Sequence, residues 1–319
     1  MTDIVISAQR LTKRYGMATV VDAVDLSVYK GETFGVLGPN GSGKTTTILM
    51  MLGLTERSAG SVNMLGHDPA RAPLTVKRRV GYLPDSIGFY DNLTARENLA
   101  YTAKLMGIGA AERPQRIAGA LARVRLAEVT GKRVGTFSRG MRQRLGLAEI
   151  IMKQAEIAIL DEPTSGLDPQ STVEFLDLIR QLRGEGVTVL LSSHQLDQVQ
   201  RVCDRVALFQ AGRIVLMGAV RDLARNVLGA GFVVEVEAEG HGLDRRFAAM
   251  PGVSSVETVA PGQYRLTADR DVRPEAARAV VAANGALLRL SVHEPSLEAI
   301  YTRYFQKGAA PKEGVSDAA

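Results

Sequence analysis

The stretch that most constrains this chain is Gly38-Pro39-Asn40-Gly41-Ser42-Gly43-Lys44-Thr45-Thr46. It meets the pattern G-x-x-x-x-G-K-[ST] at every required position. The apolar run Phe34 to Leu37 before it reads as a buried strand, and Thr45 to Leu52 after it reads as a helix ended by Gly53. Glycines at these positions let the backbone turn its N–H groups inward around phosphate oxygens. The helix that follows adds its positive N-terminal end. Lys44 brings a point charge to β/γ-phosphates, and the Thr45 hydroxyl is a ligand for Mg²⁺. A strand that feeds a glycine loop and then a helix also dictates an α/β unit.

The rest of the chain is consistent with that frame. Ile4 to Ala8 and Val24 to Val28 read as strands, with Lys13-Arg14-Tyr15-Gly16 as a turn between them. Ser61 to Leu65 and Val80 to Leu83 are short strands. Thr94-Ala95-Arg96-Glu97 has capping-box spacing and opens a helix. Ala111 to Glu128 is helical with Pro114 interrupting it near its start, and Met141 to Gln154 is helical. Ile157 to Leu160 and Val187 to Leu191 are apolar strands. Asp168-Pro169 reads as an N-cap with proline at the first helical position. Gln195 to Cys203 reads as a helix, and Gln210-Ala211-Gly212 as the turn of a hairpin. From Phe232 the order becomes β-α-β-β-α-β, which is ferredoxin-like. The expected domains are therefore 1–222, with a helical subdomain at about 86–155, and 223–306, followed by a disordered tail at 307–319.

Composition narrows the setting. The formal net charge is +5 and the pI about 9.4, compatible with nucleic acid, an anionic membrane surface, or an ordinary mixed surface. Cys203 is the only cysteine, so an internal disulfide and a cysteine zinc cluster are excluded. No apolar run is long enough to cross a membrane, and the first residues do not read as a signal peptide. The expectation is an intracellular protein, soluble or held at a membrane by a partner.

Two further stretches carry chemistry beside a phosphate loop. Asp161 and Glu162 end the strand Ile157 to Leu160. There Asp161 can hold Mg²⁺, while Glu162 sits a step nearer the γ-phosphate and can polarise an attacking water. His194, after Val187 to Leu191, can reach the same phosphate, although a lone histidine at such an edge is more often structural. Ser138-Arg139-Gly140-Met141 opens a helix far along the chain from the loop. Its hydroxyl and free N–H groups make a second anion site, one that makes sense if it closes on a nucleotide held by a second copy.

These motifs, in this order, resemble the ATP-binding subunit of ABC transporters over residues 1 to about 220. In that resemblance Tyr15 stacks on adenine, Gly38–Thr46 is the Walker A loop, and Asp85 stands at the Q-loop. Ser138–Met141 is the signature motif, with Ser138 and Gly140 on phosphate. Asp161 and Glu162 are the Walker B pair, Ser165-Gly166-Leu167-Asp168 is the D-loop, and His194 is the switch histidine. The chain departs from the family pattern in two motifs: Asp85 stands for the glutamine of the Q-loop, and the signature L-S-G-G-Q reads Phe137-Ser138-Arg139-Gly140-Met141, which keeps Ser138 and Gly140 and has Arg139 for a glycine. The resemblance implies ATP and Mg²⁺ as cofactors, with Thr45, Asp85 and Asp161 at the metal and Lys44, Glu162 and His194 in hydrolysis. It also implies an ATP-sandwich homodimer on the cytoplasmic face of the membrane, no nucleic acid, and a separate transmembrane permease driven towards export. A soluble ATPase of the same type acting on a ribosome, DNA or a membrane complex is the alternative. The ending His293-Glu294-Pro295-Ser296-Leu297-Glu298, with Tyr301 and Phe305, is similar to the close of exporter ATPase subunits. It also resembles, with Gly81–Tyr90 and Ser138–Leu147, the ATPases that serve copper-site assembly in nitrous oxide reductase.

Overall fold

The computed structural model describes residues 3–228, 232–293 and 296–308. It divides into two units, Met1–Met217 and Gly218–Ala319.

In the first unit, β1 (Ile4–Tyr15), β2 (Ala18–Tyr29) and β4 (Ala59–Met64) form an antiparallel sheet in the order β2-β1-β4. The segment expected as a turn, Lys13 to Tyr15, is strand, and the chain reverses at Gly16-Met17 instead. The reason is register. Arg10 and Ala23 sit at φ +47° and +48°, where the β1–β2 ladder shifts. Such bulges break the alternation by which a strand is recognised.

The central sheet has six strands. They are β3 (Thr33–Leu37), β5 (Val80–Leu83), β6 (Ile157–Asp161), β7 (Thr188–Ser193), β8 (Arg205–Gln210) and β9 (Arg213–Ala219). Their order is β5-β6-β7-β3-β8-β9, parallel from β5 to β8. β3, β6 and β7 are buried at every position, as befits parallel strands covered on both faces. Their C-terminal ends lie on one edge, where open α/β sheets bind ligands. Helix α1 (Lys44–Met51) follows β3, α2 (Pro73–Arg79) precedes β5, α6 (Pro169–Gly184) precedes β7, and α7 (Leu196–Gln200) precedes β8. Helix α7 stops before Cys203, short of the expected helix.

Between β5 and β6 lie α3 (Ala95–Leu105), α4 (Arg113–Arg123) and α5 (Arg139–Lys153). The Thr94–Glu97 capping box of α3 is formed on both sides. Pro114 starts α4 rather than interrupting it, because a first-turn residue has no intrahelical N–H bond to lose. Helix α5 lies tightly on β5. A Cβ on Gly146 would stand 2.3 Å from Leu83 Cδ1, and one on Gly81 2.6 Å from Ile150 Cγ2. That approach fixes the start of α5 relative to the end of β5.

The second unit begins with α8 (Val220–Leu228) and continues β10 (Phe232–Glu239), α9 (Leu243–Ala248), β11 (Val253–Ala260), β12 (Gln263–Ala268), α10 (Arg273–Ala282), β13 (Ala286–His293) and α11 (Leu297–Gly308). Its sheet runs β11-β12-β10-β13, antiparallel throughout, the ferredoxin-like arrangement that the element order implied. It has its own core, which includes Val234, Leu243, Phe247, Leu266 and Val280. The division falls ahead of the expected 222/223 because α8 packs with α11. Lys307 and Gly308, expected in the tail, belong to α11. Glu294, Pro295 and residues 309–319 lie outside the described residues.

Candidate nucleotide site

Strand β3 delivers Gly38 to the sheet edge, and the next residues turn sharply. Gly41 and Gly43 stand at φ +78° and +101°, conformations that favour glycine. At Gly38 a Cβ would lie 2.4 Å from Phe209 O, and at Gly43 2.8 Å from Val20 O, so the loop is pressed against β8 and β2. Pro39, Asn40 and Gly41 are exposed, and nothing lies within 4 Å of a Cβ on Gly41. Helix α1 begins at Lys44 without a side-chain cap. Among the described residues no acceptor takes the N–H of Gly41, Gly43, Lys44 or Thr45. The buried Ser42 Oγ also has no partner. A cradle of open donors with an orphaned hydroxyl suits a polyphosphate.

Lys44 is buried and folded inward. Its Nζ donates to Gly38 O at 2.8 Å and Pro39 O at 3.2 Å. It also lies 3.2 Å from Glu162 Oε1. That carboxylate oxygen accepts no hydrogen bond, so the approach is a charge contact with a lone pair left open. Thr45 Oγ1 donates to Asp161 Oδ1 at 3.2 Å. Thr46 follows, half-buried on α1.

Strands β6 and β7 bring the acidic pair and the histidine to the loop. Asp161 stands opposite Ser192 in the parallel register. Ser192 Oγ donates to Asp161 Oδ1 at 2.5 Å and accepts the Glu162 N–H at 2.9 Å. Burial pushes the Asp161 carboxyl up. The Ser192 and Thr45 hydrogen bonds oppose that rise, as does the charge of Lys44, while the Glu162 charge adds to it. The Tyr82 phenol is pushed up to about 12, mainly by burial and then by the charges of Asp161 and Asp85. Glu162 itself sits at φ +49°, a strained setting for a side chain of this kind. His194 Nδ1 lies 2.8 Å from Glu162 Oε2, with donor and acceptor set by the tautomer. Ser192 was missed as a site residue in the sequence. Its only signal there is a hydroxyl ending an apolar strand.

The remaining expected members, Tyr15, Ser138, Gly140, Asp168 and Asp85, meet other partners. Tyr15 is exposed at the tip of the β1–β2 hairpin with Lys13 Nζ 4.6 Å from its ring centre. The second strand of that hairpin carries Val20, which backs Gly43. Ser138 caps α5, its Oγ accepting from Met141 N at 3.2 Å, and a Cβ on Gly140 would lie 3.1 Å from Ser171 Oγ. Asp168 caps α6 with both carboxylate oxygens taken by Ser171, at 2.9 and 2.6 Å. Asp85, expected at the metal with Thr45 and Asp161, is paired differently. Its Oδ1 accepts from Arg139 Nη2 at 2.9 Å.

The family model for ABC transporters matches residues 21–165. The linearmycin resistance ATP-binding protein LnrL of Bacillus subtilis (strain 168) is 33% identical over 303 residues, covering 93% of this chain and 96% of that protein. The chain belongs to the ATP-binding subunits of ABC transporters. The daunorubicin resistance ATP-binding protein DrrA3 of Streptomyces coeruleorubidus is 36% identical over 89% of each chain. A solved ATP-binding subunit of an ABC transporter superposes with a TM-score of 0.64 at 30% identity, over 70% of this chain and 92% of that one. A dimeric ATP-binding cassette in a post-hydrolysis state with ADP and Pi shares the fold, with a TM-score of 0.61 at 22% identity. As an ABC ATP-binding subunit the chain is an ATPase, and no helix among its described residues is long and apolar enough to cross a membrane.

Proposed function

We propose that the chain hydrolyses ATP held at Gly38–Thr46, as one half of a two-copy sandwich, and so drives export through a separate membrane-spanning chain. The observation that carries this reading is the setting of Glu162. It is held between Lys44 and His194 at the end of β6, beside Asp161, with one buried oxygen open. That oxygen can take a proton from a water attacking the γ-phosphate. His194 orients the carboxylate from its other oxygen. Lys44 leaves Glu162 for the phosphates when ATP enters, which frees the carboxylate at the moment its substrate arrives. The loop N–H groups and the α1 N-terminus hold the β- and γ-phosphates.

Among the described residues no group of three or more His, Cys, Asp or Glu side chains could hold a metal. The hydroxyl of Thr45 converging on Asp161 Oδ1 nevertheless fits Mg²⁺, which takes few protein ligands and completes its shell with phosphates and water. Thr45 and Asp161 would hold the ion, and when bound it neutralises charge developing on the phosphates.

The start of α5, with Ser138 and Gly140, supplies the second half of the site to the ATP of another copy, with Asp168 beside it and Tyr15 against the adenine. A cavity of about 810 Å³ near the end of α3 offers a docking place for the membrane partner. It is lined by the exposed Leu74 and Leu105 and by Lys77 and Arg78, with Arg116 paired to Glu112 at 2.7 Å, which suits a helix with apolar and some acidic residues. The drug-resistance names of the relatives favour export.

The test is Glu162→Gln in single-turnover hydrolysis. The expected outcome is a rate at least about 100-fold lower with ATP binding retained and an ATP-dependent dimer accumulating on a sizing column. Undiminished hydrolysis would remove Glu162 from the chemistry. Failure of any membrane chain to co-purify in every nucleotide condition would remove the transport role.

A further inference from the structure

We propose that Arg139 and Asp85 act as one positioning unit for the turn that begins at Glu162. The inference rests on the reading of Glu162 as the group that takes the proton.

The two residues are 54 positions apart, and both are positions where the chain departs from the pattern of its motifs. Arg139 Nη2 donates to Asp85 Oδ1 at 2.9 Å. One turn further along α5, the buried Gln143 donates from Nε2 to Asp85 O at 3.4 Å. Residues four apart share a helix face, so one face of α5 grips Asp85 at both its side chain and its backbone.

The same guanidinium lies against Gly166. A Cβ there would be 3.2 Å from each of Arg139 Cζ, Nε and Nη1. Gly166 is at φ +68° and belongs to the compact turn that starts at Glu162. In that turn Ser165 N donates to Glu162 O at 3.1 Å and Leu167 N to Thr164 O at 3.2 Å. The turn ends in the Asp168 cap of α6, on which Gly140 also rests through Ser171. Arg139 therefore joins the segment after β5 to the segment after β6, through a flat group lying on backbone. Glu162 has its strained φ held from below by Ser192, and the Arg139 contact holds the far end of its turn.

The pair has the features of an orienting device more than a stabilising one. Arg139 and Asp85 are 49% and 55% exposed, and exposed ion pairs contribute little to folding. The other arginines at this end of α5 are engaged elsewhere, Arg142 with Asp91 and Arg144 with Glu174. A guanidinium can bond a carboxylate at its edge while its plane covers a glycine, and an ammonium cannot.

The experiment measures kcat and KM for ATP, and the melting temperature, in the full chain carrying Asp85→Asn, Arg139→Gln, the two together, Asp85→Glu, Arg139→Lys and, as control, Glu162→Gln. Each neutralising single change is expected to lower kcat on the order of 10-fold, since misplacing a catalytic group by a fraction of an ångström has effects of that size. KM is expected to stay within about twofold and melting to stay at the wild-type value. The double variant is expected to be no slower than the slower single. Asp85→Glu should keep most of the rate, and Arg139→Lys should not. Wild-type kcat in the two neutralised singles, a double variant slowed by the product of the single effects, or a rate loss matched by a fall in melting temperature would each overturn the pair. A dead Glu162→Gln beside fully active singles sinks this inference alone, whereas an active Glu162→Gln sinks the reading of Glu162 itself.

Discussion

Ser192→Ala removes one oxygen atom from the floor of the site, and the consequences can be worked out bond by bond. Ser192 is fully buried, and its Oγ serves two groups, the Asp161 carboxylate and the part-buried Glu162 N–H. Asp161 Oδ1 loses a short donor at 2.5 Å and keeps only Thr45 at 3.2 Å. A hydrogen bond to a charged group contributes about 1.5–3 kcal/mol. The Glu162 N–H loses its acceptor, and leaving a part-buried donor unpaired costs about 1 kcal/mol, the low end for an unsatisfied group. The two overlap because one oxygen serves both, and alanine leaves almost no cavity, so about 2–4 kcal/mol of folding stability should go. The same change releases the backbone of Glu162 from the contact that holds it at φ +49°. Relaxation toward ordinary φ would swing the carboxylate away from Lys44 and His194, with a loss in kcat of about 10- to 100-fold. Urea unfolding followed by circular dichroism reads the first effect, and steady-state phosphate release at saturating ATP reads the second. A Ser192→Ala protein that unfolds at the wild-type urea midpoint and turns over at the wild-type rate would refute the claim that this hydroxyl organises the acidic pair.

Two other outcomes follow from local geometry. Gly43→Ala places a Cβ 2.8 Å from Val20 O at φ +101°, so ATP affinity by fluorescence titration should fall by at least about 10-fold, with backbone strain of about 1–3 kcal/mol; unchanged affinity would mean the loop binds no phosphate. Asp68 accepts from both Nη1 and Nη2 of Arg57, at 3.0 and 2.7 Å, and the Arg57 hydrogen bond, aided by the Ala70 N–H, holds its carboxyl below the usual 3.8. A carboxyl lowered by folding adds stability above its unfolded pKa and loses it as pH falls through the folded value. Asp68→Asn should therefore cost about 0.5–1 kcal/mol near neutral pH, a modest figure because the pair is partly solvated, and almost nothing at about pH 2; an equal cost at both would show that charge is not what the pair contributes.

Much of this arrangement is legible in the sequence because it is local. A glycine loop between an apolar run and a helix, a capping box such as Thr94–Glu97, and a proline after Asp168 each describe contacts between residues a few positions apart. The order of elements after Phe232 likewise carries its sheet arrangement, since few topologies accommodate it. Features that depend on register are not legible. The full length of β1 and β2 is hidden because Arg10 and Ala23 break the alternation at bulges. Cys203 falls outside α7 because that helix ends after one turn.

What the sequence by itself determined is the chemistry available: a phosphate loop, two adjacent carboxylates and a histidine at strand ends, and a second anion-binding helix start. These are read from residue type and short spacing, which the covalent chain enforces. Only the tertiary structure decided which groups hold them in place. Ser192 meets Asp161 because β6 and β7 pair in parallel at one particular register. Arg139 meets Asp85 and Gly166 because α5 packs onto β5 closely enough that Gly81 and Gly146 admit no side chain. Both depend on strand register and packing distance, which arise between segments far apart in the chain and leave no local mark on any of them.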